Sequence, residues 1–118
     1  MWNGHRAGTY ARQHARSHSH GECAHYVSNA VRHGRITFPN THYAKDMGST
    51  LILNGFHQVY GEPVEGDVAV IQPVSGHPYG HACIYDGHQW VSDFVQRTLY
   101  PGQGYRSLQP PYALYRHN

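Results

Sequence analysis

The chain has 118 residues, with 9 Lys and Arg against 7 Asp and Glu, a formal charge of +2. That balance is too small to imply a nucleic-acid partner, and no basic run or RNA-binding signature supplies one. The length accommodates one hydrophobic core and not two, so residues 1–118 read as a single domain, and no segment approaches the ~20 apolar residues of a membrane span.

Tyrosine (10), glycine (13) and histidine (12) are abundant, so aromatic and neutral polar groups stand where other chains use aliphatics and salt bridges. The polar N-terminus, Met1-Trp2-Asn3-Gly4-His5-Arg6, is followed by no stretch of signal-peptide length. Synthesis in the cytoplasm is expected, with a route other than general secretion to any outside substrate. Two cysteines without a CxxC make no disulfide framework.

Residues 1–20, rich in Arg, His, Ser and Gly, show no clean period and read as a loop or a short irregular helix. From 22 to 33, Cys23, Ala24, Val27, Ala30 and Val31 recur at helical spacing before Gly34, which predicts a helix of about three turns. Residues 39–41 form a turn, and a second short helix is expected over 42–53. A strand is expected over 56–60, and a loop from Gly61 closes at Gly66-Asp67. The apolar run 68–72 fits a buried strand. After a loop over 73–79 come a strand over 81–85, a hairpin turn at Asp86-Gly87-His88 and a return strand over 89–95. A loop over 101–109 precedes a last strand over 112–115. Helices first and an antiparallel meander after them is an α+β order.

Cysteine alone is commonly a small core hydrophobe. Cys23 stands out because it begins a helix, and His81 opens a strand 58 positions later. Unpaired N–H groups at a helix N-terminus lower a thiol's pKa, and a nearby imidazole can take the proton and return it to a leaving amine. A third group is expected to orient the imidazole. With a three-residue loop His81 lies opposite Asp93; with a two-residue loop (Asp86, Gly87) it faces Ser92. Asp93 is the better chemical candidate, with Ser92 and Gln96 as the others.

Gly21-Glu22-Cys23-Ala24-His25-Tyr26-Val27 resembles the G-x-C-x-x-Y-V nucleophile segment of CHAP domains, the cysteine- and histidine-dependent amidohydrolases/peptidases. Gly66-Asp67-Val68-Ala69-Val70 and Gly80-His81-Ala82-Cys83-Ile84-Tyr85 resemble their two strand motifs, in the same order. In the related NlpC-type peptidases a third polar residue follows the histidine by about twelve positions, where Asp93 stands. The resemblance covers residues 20–95. It implies a papain-like α+β fold, with Cys23 at a helix N-terminus packed on an antiparallel sheet. It further implies hydrolysis of an amide in the peptide of peptidoglycan, with Cys23 as nucleophile, His81 as base and acid, and Asp93 as orienting residue. The oxyanion would be held by the Cys23 backbone N–H and by Tyr10.

Small size, no signal peptide and no wall-binding module make the chain similar to type VI secretion amidase effectors or small phage lysins. The effector reading implies an immunity protein plugging the cleft, a monomeric enzyme, and action in the periplasm of a target cell. Cys83 departs from the family pattern, either as a small-residue substitute or as a disulfide partner for Cys23. A metal reading of His18, His20, Cys23, His25, His81 and Cys83 is weaker, because their spacing matches no zinc finger, HExxH or deaminase pair. No metal and no cofactor is expected. The alternatives are a non-wall cysteine peptidase or acyltransferase, which sacculus digestion separates, and a non-catalytic binding module, against which the full Cys/His/Asp set argues.

Overall fold

The computed structural model describes residues 1–118 and places a regular helix where the sequence reading expects irregular structure. Helix α1 (Gly4–His14) is capped by the Asn3 side chain, which accepts the Arg6 N–H at 3.0 Å. Its inward face is Ala7, Gly8 and Ala11. Small residues bring the helix close: a Cβ on Gly8 would stand 2.9 Å from the Asp86 Cα. Arg12, one turn further, reaches the Asp86 carboxylate at 3.2 Å.

Helix α2 (Cys23–His33) buries Ala24, Val27, Ala30 and Val31 and ends at Gly34, whose N–H returns to the carbonyls of Ala30 and Val31. The expected second helix divides into a 3-10 turn (Ala44–Asp46) and α3 (Met47–Leu53). The fourth helix, α4 (Gln103–Leu108), lies inside the segment expected to be a loop.

The strands are β1 (Phe56–Val59), β2 (Val68–Ile71), β3 (His81–Tyr85), β4 (Trp90–Val91), β5 (Val95–Gln96) and β6 (Tyr112–His117). They form one sheet of order β1-β6-β2-β3-β4-β5, antiparallel throughout. The α+β fold is therefore as expected, with the N-terminal helices packed on the sheet. The simple meander is not, because β6 inserts between β1 and β2. Asp67 helps hold it there: its buried carboxylate accepts from Arg116 Nε at 2.9 Å and Nη2 at 2.8 Å, and from the Val64 N–H at 2.9 Å.

Strand β2 is buried on both faces, which is why it reads as a continuous apolar run. Val68, Val70, Ala82, Ile84 and Val91 face the helices and pack with Val27, Val31, Met47 and Leu51. Ala69, Cys83, Trp90 and Leu114 form a smaller cluster on the opposite face. No helix is long and apolar enough to cross a membrane.

The β3–β4 hairpin takes neither anticipated register. Ile84 pairs with Val91 and Tyr85 with Trp90, which leaves a four-residue loop, 86–89. Asp86 builds that loop by accepting the N–H groups of His88 (2.9 Å) and Gln89 (2.8 Å). Burial pushes the Asp86 carboxyl up, but those two N–H groups and Arg12 together hold it below its ordinary value. The return strand is also cut short. The chain turns back at 92–94, and β5 pairs Gln96 with Trp90 and Val95 with Val91.

Candidate active site

Cys23 is the first residue of α2, and Glu22 before it offers no side-chain cap. The residues just before the helix are instead tied down from across the fold. Asp93 Oδ2 accepts the N–H groups of His20 (2.7 Å) and Glu22 (3.0 Å), while Oδ1 accepts from Ser92 Oγ at 3.3 Å. Asp93 is fully buried, and its own carbonyl accepts the Arg16 N–H at 2.7 Å. The turn at 92–94 thus fastens the segment that delivers the thiol.

Gly80 precedes His81 at φ +71°, and a Cβ there would collide with the Ile71 carbonyl. This turn needs glycine, and it sets the start of β3. His81 is 6% exposed, and its Nε2 lies 2.7 Å from Gln96 Oε1. The Gln96 amide donates to the carbonyls of Thr98 and Leu99, both at 3.0 Å. Its oxygen must therefore face the imidazole as acceptor, which puts the proton on His81 Nε2 and leaves Nδ1 as the free base. Gln96, not Asp93, is the side chain bonded to His81. The register explains this: Gln96 pairs with Trp90 and Trp90 with Tyr85, which shares a face with His81 and Cys83.

Cys23 and His81 line the same cleft, a cavity of about 790 Å³ whose walls include Tyr43, His77, Tyr79 and Tyr105. Burial pushes the Cys23 thiol up, and the Asp93 charge pushes the same way; the N–H groups of Ala82, Ala24 and Cys23 itself pull it down. The helix N-terminus does act on the thiol, yet burial outweighs it, contrary to the lowered pKa expected from sequence. Burial likewise pushes His81 down, against the opposing pull of Gln96 and Asp93. The cleft at rest holds a neutral thiol and a neutral imidazole with a free lone pair. This arrangement suits acyl transfer in which the base takes the proton as the sulfur attacks.

Tyr10 is not in this cleft. Its ring is stacked between His14 (3.8 Å) and His33 (3.7 Å), and His33 closes α2 ten residues beyond Cys23, about 15 Å along the axis. With Ala7 and Ala11 packed inward, Tyr10 lies along the flank of α2, where it lines a separate small pocket with Glu22, His25 and Asn29. Cys83 is fully buried in the smaller cluster, and both cysteines are free thiols. His18 and His20 stack on one another at 4.9 Å, and no three His, Cys, Asp or Glu residues converge as metal ligands would. Tyr105 of α4 lines the cleft although nothing in the irregular sequence around it pointed there.

No family model matches the chain, and neither does any curated protein. Among solved structures it matches the type VI native effector–immunity complex Tae3–Tai3 from Ralstonia pickettii, at 47% identity and a TM-score of 0.97. That match covers 99% of this chain and 100% of the other. The selenomethionine form of that complex matches at 47% identity and a TM-score of 0.92, over 94% of this chain and 99% of the other. The fold is accordingly that of a type VI secretion effector. With near-complete coverage at that identity, the chain belongs to the Tae3 family.

Proposed function

We propose that the chain is a cysteine-dependent peptidoglycan amidase or endopeptidase, injected by a type VI system to degrade the wall of a rival bacterium. The observation that carries this reading is the pairing, in one cleft, of a thiol at the start of α2 with an imidazole whose tautomer Gln96 fixes. Cys23 Sγ attacks the amide carbonyl while His81 Nδ1 takes its proton, giving a tetrahedral adduct. The imidazolium returns that proton to the departing amine, and water then hydrolyses the thioester by the same base in reverse. Gln96 orients the imidazole. Asp93 steadies the imidazolium at longer range and fixes the loop before Cys23. The effector reading is favoured over a phage lysin by the likeness to an effector solved with its immunity protein. A cognate immunity protein covering the cleft is proposed here as well.

Production in a Gram-negative host, with and without an export leader, tests the reading. Lysis is expected only when the chain is exported, and not with Cys23→Ala. Equal lysis without the leader, or lysis by Cys23→Ala, would contradict it.

A further inference from the structure

Tyr105 sits in α4, on the wall of the cleft that Cys23 and His81 also line. It is 3% exposed, with its ring held 4.8 Å from that of His77 and 5.9 Å from that of His81. A buried tyrosine hydroxyl ordinarily finds a partner. This one has none in the chain: burial and the neighbouring Cys23 thiol are the influences acting on it. It is also absent from the hydroxyls sealed away without a partner, those of Thr9, Ser28 and Thr41. The ring is therefore packed while the hydroxyl is neither hydrogen-bonded within the chain nor sealed away, on a residue that lines the cleft together with Cys23 and His81.

We propose that the Tyr105 hydroxyl is the second hydrogen-bond donor to the oxygen of the scissile carbonyl, acting with the Cys23 backbone N–H; this rests on the reading of the cleft as a cysteine amidase. As the Sγ–C bond forms, the thiol proton passes to His81 and the carbonyl π pair moves onto oxygen. Tyr105 donates a hydrogen bond to that oxyanion and keeps its own proton. On collapse the C–N bond breaks, the carbonyl re-forms, and the His81 proton leaves with the amine. Burial, reinforced by Cys23, pushes the hydroxyl up to about 12, so it remains a donor across the neutral range. A preorganised donor in a water-poor site is worth most where negative charge develops. The sequence reading gives this role to Tyr10; Tyr105 lines the cleft, as Tyr43 and Tyr79 do, and is the one of the three that is buried with its ring beside that of His81.

The test uses the full chain and a soluble cross-linked muropeptide dimer, with wild type, Cys23→Ala and Tyr105→Phe compared. Because the hydroxyl has no partner within the chain, Phe leaves the packing intact, and the melting temperature checks this. Tyr105→Phe is expected to lower kcat by about 10²-fold with KM unchanged. Its alkylation of Cys23 by iodoacetamide, which forms no oxyanion, is expected to match wild type. Wild-type kcat in Tyr105→Phe would overturn the assignment, as would a rise in KM alone or a loss of Cys23 alkylation. If wild type itself leaves the dimer uncut, the amidase reading fails; if wild type cuts and Cys23→Ala does not, that reading stands and the Tyr105 result is judged alone.

Discussion

His81→Ala is expected to lower kcat on a wall-derived muropeptide by about 10⁴-fold or more, an effect as large as loss of the nucleophile. The size follows from the resting state. Burial holds the Cys23 thiol above its ordinary value, so little thiolate exists at neutral pH without a base. The same burial holds the imidazole below its ordinary value, so His81 is neutral and ready to accept at pH 7. The sign for the pH profile follows. Activity fails as acid protonates His81, and a lowered imidazole puts that limb of kcat/KM below about pH 6.5, the usual histidine value. Steady-state rates across pH measure both. A limb well above that value, or a His81→Ala variant within tenfold of wild type, would contradict the assignment.

Asp93→Ala is expected to cost about 3 kcal/mol of stability, together with most of the activity. Its carboxylate is fully buried and accepts from three donors, two of them the backbone N–H groups of His20 and Glu22 just before the nucleophile. Removing it orphans those donors and frees the start of α2. Asp93→Asn keeps one acceptor oxygen and should lose less on both counts. Urea midpoints measure the stability change. An unchanged midpoint for Asp93→Ala would show that the segment 20–22 is held by something else.

The parts of the fold that were legible carry a local signal. Helix α2 shows its period in Val27, Ala30 and Val31, and β2 shows its burial in Val68–Ile71. Helix α1 was hidden because close packing needs Ala7, Gly8 and Ala11 inward, leaving Arg and His to dominate the segment. The Asn3 cap with Ala7 and Ala11 four apart was the available clue. The position of β6 between β1 and β2 is a long-range pairing without a sequence mark.

At the site, Cys23 and His81 were readable as a helix start and a strand start. Their helper was legible only as one of three candidates, Gln96 ranked behind Asp93, because the choice depends on register. Asp86 closes a four-residue loop, and the chain reverses at 92–94, which carries Gln96 to the imidazole and points Asp93 at the backbone of 20–22. Tyr105 lies on a six-residue helix in a Gly- and Pro-rich stretch, where no period announces a wall of the cleft.

The most direct test of the central claim is digestion of purified Gram-negative sacculi by wild type and by Cys23→Ala, with mass analysis of the released muropeptides. New fragments from wild type alone, ending at one kind of peptide bond, are predicted, and they would name the bond cut. Identical fragments from both proteins, or none from wild type while Cys23 still reacts with a thiol probe, would contradict a wall hydrolase working through Cys23.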